Sequence, residues 1–102
     1  MGMFVVRIQL TDANNYRELH KAMSAKGFST LIKMDDGKLY KMPYAEYFCE
    51  DSAGIEEVHT RAKEVLSEIG DEDAITFTCK VEFILASNLK QPSPQIPLLR
   101  RK

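Results

Sequence analysis

Apolar and polar residues alternate without a break through residues 75–83, and this pattern constrains the fold more than any other stretch. Its apolar positions are Ile75, Phe77, Cys79, Val81 and Phe83. Successive side chains of a strand point to opposite faces, so a period of two predicts a strand with one buried face. We expect the apolar side chains to face the helices of the domain. The opposite, open face would then carry Thr76, Thr78, Lys80 and Glu82.

The segments before this strand predict the fold class through their order. Alternation predicts a strand over 4–10, and helical spacing of apolar residues predicts helices over 16–26 and 55–69. β-prone runs predict strands over 28–34 and 39–48, the second bent or at an edge near Pro43. The order βαββαβ predicts a ferredoxin-like α+β fold, a four-stranded antiparallel sheet with two helices on one face. Right-handed crossovers would place the two terminal strands side by side in the middle.

Two neighbouring carboxylates, Asp35 and Asp36, lie between the second and third predicted strands. They could be ligands of a metal ion, or they could belong to a hairpin turn with Gly37. The segment contains no third ligand, so we favour the turn. Asp36 tolerates the left-handed backbone geometry that such turns need.

Length and composition predict one small cytoplasmic domain. The chain has 102 residues with 14 basic and 15 acidic side chains, so no overall field attracts nucleic acid or an anionic membrane. We assign residues 1–87 to the domain and residues 88–102 to a Pro-rich, basic C-terminal tail. Cys49 and Cys79 lack metal-ligand spacing and are interpreted as reduced thiols. Neither a signal peptide nor a membrane span is apparent in the sequence.

Basic and aromatic residues suggest a second use for the sheet. Tyr40, Tyr44 and Tyr47 are the plausible stacking residues for bases, and their composition also suits an ordinary half-buried strand. A sequence-tolerant RNA-binding domain would use Arg7, Lys33, Lys41 and Lys80. His20 and His59 are interpreted as partly buried or interfacial residues rather than general bases, and the acidic residues 71–73 as a solvated loop.

The C-terminal residues 91–102 combine prolines, apolar residues and a basic end. We expect a disordered tail. The alternative is an arm whose apolar residues dock on a neighbouring subunit while its cations contact phosphate or an acidic surface.

With this topology in place, the sequence resembles the GhoS-type family, whose founding member is the antitoxin endoribonuclease of a type V toxin–antitoxin system. The resemblance covers about residues 3–86. The residues that carry it are Phe4-Val5-Val6, Tyr16, Leu19, Met23, Gly27-Phe28-Ser29, Ile32, Asp36-Gly37, Tyr40, Met42-Pro43 and Ala45-Glu46-Tyr47.

This resemblance implies a ferredoxin-like fold similar to the Cas2-type nucleases of CRISPR adaptation, a homodimer, and action on single-stranded RNA, including cleavage of a specific messenger. It further implies a catalytic Asp near the end of the first strand, for which Asp12 is the nearest carboxylate, and Mg²⁺ as its metal. Asp12 is also well placed to cap the first helix. The alternative function is a non-enzymatic dimeric adaptor, phage- or mobile-element-encoded, that binds a host protein.

Overall fold

The computed structural model describes residues 1–92, and the predicted α+β class is confirmed for them. The strands are β1 (Gly2–Gln9), β2 (Leu31–Lys33), β3 (Leu39–Lys41), β4 (Glu46–Asp51) and β5 (Ile75–Val81). The helices are α1 (Tyr16–Ala25), which follows a short 3-10 turn at Ala13–Asn15, and α2 (Ile55–Glu68). Most of the tail predicted over 88–102 lies outside the described residues. The two interpretations of its end, a disordered tail and an arm that docks on a neighbouring subunit, are therefore not tested.

The strands form two antiparallel sheets rather than one sheet of four strands. β1 is central in a three-stranded sheet of order β4-β1-β5, and β2 pairs with β3 in a hairpin. The predicted strand over 39–48 is divided because Pro43 cannot donate to a ladder and Ala45 has a φ of 64°. Among the described strands β5 lies at an edge beside β1, so the prediction that it would lie in the middle is wrong.

The core lies between the two helices and one face of the three-stranded sheet. Phe4 and Val6 of β1 are fully buried and Ile8 is 1% exposed. They pack with the apolar stripes predicted for the helices, which include Leu19, Met23, Val58, Ala62, Val65 and Leu66. Neither helix within residues 1–92 is long and apolar enough to cross a membrane.

The prediction that the apolar residues of β5 face the helices is wrong. The antiparallel register pairs Val6 with Thr78, and directly paired residues point to the same side of a sheet. Thr78 therefore faces the core side, where its Oγ1 lies 2.7 Å from Nδ1 of His59 in α2. Ile75 and Phe77 point the other way and are each 62% exposed. Alternation shows which residues share a face, and pairing register decides which face meets the helices.

Candidate functional site: the open face of the sheet

The open face is the side of the β4-β1-β5 sheet that is turned away from α1 and α2. On it Val5 lies between Phe48 and Cys79, and Arg7 lies beside Phe77. The strand residues of this face are Met3, Val5, Arg7, Gln9, Glu46, Phe48, Glu50, Ile75, Phe77, Cys79 and Val81. Beyond the end of β5, Phe83 and Leu85 are 86% and 97% exposed. An exposed apolar area on a small domain is typical of an interaction surface.

Charges are sparse on this face and do not favour phosphate. Arg7 is its only cation among the strand residues, and its Nη1 lies 3.9 Å from Oε2 of Glu46. Glu50 adds a second carboxylate to the same face. Because Lys and Arg supply the electrostatic part of nucleic-acid affinity, a face with this charge balance suits an apolar protein surface better than a nucleic-acid backbone.

The residues proposed to bind RNA are distributed over different surfaces. Arg7 is on the open face, whereas Lys80 pairs with Phe4 and so belongs to the opposite face. Lys33 and Lys41 share one face of the β2-β3 hairpin, each directly opposite a leucine of the other strand. The structure thus brings Lys33 and Lys41 together, but the four residues proposed to bind RNA do not share one surface.

Asp12 lies in the loop after β1 and its side chain is exposed. Its Oδ1 accepts a hydrogen bond of 2.9 Å from the backbone N–H of Asn14, which caps the 3-10 turn that leads into α1. Across residues 1–92, no three His, Cys, Asp or Glu side chains are grouped so that they could hold a metal ion.

The loop that carries Asp12 is held by a buried carboxylate, Asp71. Asp71 is 5% exposed, so the interpretation of 71–73 as a solvated loop is wrong for this residue. The backbone N–H and the hydroxyl of Thr11 donate to its two oxygens at 2.8 and 2.7 Å. These hydrogen bonds from Thr11 lower the pKa of Asp71, which keeps it ionised. The contact fixes the end of β1 to the loop between α2 and β5.

The neighbouring carboxylates of the hairpin belong to its turn, as predicted. Asp36 accepts hydrogen bonds from the Tyr40 hydroxyl at 2.5 Å and from the Lys38 N–H at 2.9 Å, and both lower its pKa. Gly37, with a φ of 80°, adopts the left-handed geometry, and Asp36 does not. The role of Asp36 is therefore to accept hydrogen bonds within the hairpin.

A polar pair of one buried and one half-buried side chain lies between α1 and the core side of β4. Tyr47 is fully buried, and its hydroxyl is 2.6 Å from Nδ1 of His20. Burial raises the pKa of Tyr47 and lowers that of His20, so a protonated phenol meets a neutral imidazole. The phenol then donates to Nδ1, and the proton of the imidazole is on Nε2. This pairing agrees with the interpretation of His20 as a partly buried residue.

Acidification from about pH 7 to about pH 5 should lower the free energy of unfolding through His20. Burial holds its pKa below the ordinary value of 6.5, so the unfolded chain binds the proton first and stability falls as the pH decreases toward the folded-state pKa. Asp51 and Asp71 also have lowered pKa values, but their effect begins below about pH 4.

Urea denaturation of the natural chain and of His20→Gln across this pH range measures the effect. The difference in stability between the two should vary with pH from about 7 to 5. Parallel pH curves for both proteins would contradict the assignment.

Two aromatic residues of the open face were missed by sequence reasoning. Phe48 and Phe77 were assigned to a bent strand and to the core, respectively, and only the register of β1 with β4 and β5 places both on the open face. The sequence signal for Phe77 was the alternation of apolar and polar residues around it, which correctly showed that Phe77 shares a face with Ile75 and Cys79.

Comparisons with known proteins assign no family to this architecture. No family model matches the chain, and no curated protein matches its sequence.

Proposed function

We propose that the protein is a non-enzymatic, cytoplasmic binding protein that forms a homodimer through the open face of its sheet. The observation that carries the proposal is the 62% exposure of both Ile75 and Phe77 in the first half of strand β5. Two such faces can pack at about 10 Å with interdigitating side chains, as in a β-sandwich. The dimer then acts as an adaptor that presents its helices and hairpins to another protein.

The charges of the face support a second copy as the occupant. A two-fold axis brings two identical surfaces together, so each charged side chain must find an opposite charge on the same surface of the other copy. The open face carries Arg7 and Glu50 on neighbouring strands, and two-fold pairing can set these opposite charges against each other. Stable interfaces use roughly 20–30 residues a side, and this face is smaller, so we expect a dimer that dissociates at micromolar concentrations.

We further propose a ferredoxin-like arrangement in which the β2-β3 hairpin continues the sheet beside β4. Support comes from the bridge between Ser29 and Phe48, whose two backbone hydrogen bonds are both 2.8 Å long. The sheet would then have β1 and β4 in the middle, β5 at one edge and β2 at the other.

Light scattering on nuclease-treated protein over a concentration series tests the proposed dimer. We expect twice the chain mass of 11.6 kDa at high concentration and the chain mass after dilution. Because the interface is mainly apolar, its dissociation constant should change far less between roughly 50 and 200 mM salt than the affinity of a protein that contacts phosphates. A chain that stays monomeric at all concentrations would contradict the proposal.

A second candidate function is RNA-directed, in line with the resemblance to GhoS-type endoribonuclease antitoxins. It is favoured by the placement of Arg7 directly beside Phe77, because single strands bind through base stacking on rings and cations near the backbone. In this proposal single-stranded RNA occupies the open face, with Lys33 and Lys41 of the β2-β3 hairpin as further contacts, while Lys80 is left out because it belongs to the opposite face. Asp12 is the candidate catalytic residue, and no step through a metal is assigned to it.

RNA binding should weaken by about tenfold or more between roughly 50 and 200 mM salt if Arg7, Lys33 and Lys41 neutralise phosphates. Fluorescence anisotropy with labelled single-stranded RNA measures the affinity, and gel analysis with and without Mg²⁺ measures cleavage. Asp12→Ala should abolish cleavage and keep affinity, whereas Asp35→Ala, another exposed carboxylate, should change neither. An affinity that does not change with salt would exclude the phosphate contacts.

A further inference from the structure

The outer edge of β5 is a surface separate from the open face. Within residues 1–92, β5 pairs with β1 on one side and with no strand on the other. The strand is seven residues long and contains no proline that would blunt its edge. Such an edge presents a row of backbone donors and acceptors, which makes it a template for pairing with another strand.

The hydrogen bonds of the sheet decide which backbone groups of β5 point outward. The Ile8 N–H donates to the Ala45 carbonyl, so the backbone groups of Ile8 in β1 point toward the β4 side. Alternate residues of an antiparallel strand point these groups to opposite sides, so those of Arg7 bond to its register partner Phe77. The outward backbone groups of β5 belong to the intervening residues, Thr76, Thr78 and Lys80.

This set of outward groups permits a two-fold pairing of β5 with β5 of a second copy. If two antiparallel copies meet with Thr78 opposite Thr78, every outward residue meets another outward residue and the two exchange hydrogen bonds. Lys80 then lies opposite Thr76 rather than opposite its own copy, so like charges are kept apart. On the open face the same register sets only apolar side chains of β5 against one another. The strand is therefore complementary to itself.

Charges beside the edge favour the same register. A cleft of about 570 Å³ lies between α2 and the start of β5, and its lining includes two carboxylates, Glu64 and Glu72, one ammonium, Lys63, and Thr76 of β5. Lys80 makes no ion pair within the described part of the chain. Because Lys80 of the second copy would lie opposite Thr76, its ammonium can reach the two carboxylates of this cleft.

The helix above the edge agrees with this two-fold axis. Nδ1 of His59 in α2 lies 2.7 Å from Oγ1 of Thr78, so an axis beside Thr78 brings α2 next to an antiparallel copy of itself. Glu56 and Lys63 lie about one turn before and one turn after His59, on the same side of α2. In two antiparallel helices, Glu56 of one copy and Lys63 of the other therefore face each other with opposite charges.

We propose that β5 pairs edge to edge with β5 of a second copy of this chain, in an antiparallel register centred on Thr78, with Lys80 of each copy at Glu64 and Glu72 of the other. The two sheets then form one sheet of order β4-β1-β5-β5-β1-β4, whose open faces lie side by side. The proposal uses the backbone edge of β5 and does not depend on the proposed dimer through the open face.

The edge pairing forms at higher concentration than the dimer through the open face. It is held mainly by backbone hydrogen bonds, each of small net free energy, so we expect it at roughly millimolar concentration. At that concentration it joins two dimers into a species of four times the chain mass.

Amide hydrogen exchange measured by NMR at about 50 µM and about 1 mM protein tests the edge pairing. At the higher concentration the outward amides of Thr76, Thr78 and Lys80 should exchange at least about threefold more slowly, because two thirds or more of the chains are then paired. The amides of Phe77 and Cys79 bond to β1 and serve as the internal control, with unchanged exchange.

This measurement separates the two interfaces. Packing through the open face leaves the outward amides of β5 in solvent, so it does not slow their exchange. Equal exchange rates of these amides at both concentrations would overturn the edge pairing and leave the open-face dimer untouched. Slow exchange in a sample whose mass is that of a monomer would also overturn it, because another part of the same chain would then cover the edge.

Reversal of one charge tests the register. Lys80 is exposed, and Lys80→Glu sets a carboxylate against Glu64 and Glu72 of the other copy, so the concentration-dependent protection should be lost. Lys80→Glu combined with Glu64→Lys restores opposite charges and should recover the protection. Lys33→Glu makes the same charge change on the hairpin and should behave like the natural chain. Protection that persists in Lys80→Glu alone would contradict the register centred on Thr78.

Discussion

Replacement of Phe77 by Asp is expected to raise the dissociation constant of the dimer by at least about 100-fold. Aromatic residues in the centre of an interface commonly contribute 2 kcal/mol or more when truncated, about 30-fold in affinity. A carboxylate in the same dry position adds its desolvation cost. Phe77 is 62% exposed in the isolated chain, so its replacement should leave the monomer folded. Sedimentation velocity over a concentration series measures the change.

The matched control for this substitution is Leu39→Asp. Leu39 is 48% exposed and lies on β3, in the hairpin rather than on the open face. It introduces the same charge at a similar exposure, so it should leave the dissociation constant unchanged. If Phe77→Asp dimerises like the natural chain, the interface lies elsewhere.

The second large effect is expected from two phenylalanines on opposite faces of the same sheet. Phe4→Ala should lower the free energy of unfolding by about 3–5 kcal/mol, because the side chain is fully buried and leaves a cavity in the core. Phe77→Ala, measured at concentrations where the protein is monomeric, should change it by less than about 0.5 kcal/mol. The contrast reports directly which face of β5 meets the helices.

Urea denaturation of both variants at one pH measures this contrast, with the m-value confirming that the unfolded state is comparable. Far-ultraviolet circular dichroism checks that each variant is folded at the start. A Phe77→Ala variant as unstable as Phe4→Ala would mean that β5 pairs one residue out of the register found here, with its apolar side against the core.

Local pattern was sufficient to predict most of the elements. The alternation in β1, the apolar stripes of α1 and α2, and the turn at Asp36 and Gly37 each depend on neighbours within a few residues, and all are present in the structure. The bend near Pro43 was predicted for the same reason, because a missing N–H acts locally.

The arrangement of these elements depends on contacts that the sequence pattern does not encode. The face of β5 is set by its register with β1, which pairs Arg7 with Phe77 across a long chain separation. The candidate site was therefore predicted with the wrong side chains, since Thr78 and Lys80 were expected where Phe77 and Cys79 lie. The burial of Asp71 likewise depends on Thr11, sixty residues away along the chain.

The two thiols of the chain lie on opposite sides of the sheet, so the reactivity of each thiol reports on a different face. Cys79 is part of the open face, whereas Cys49 is buried in the core with a pKa raised by burial. Alkylation at Cys79 would report whether the face is covered, while Cys49 would react only when the domain unfolds. A single labelling experiment could thus separate occupancy of the surface from loss of structure in the unaltered protein.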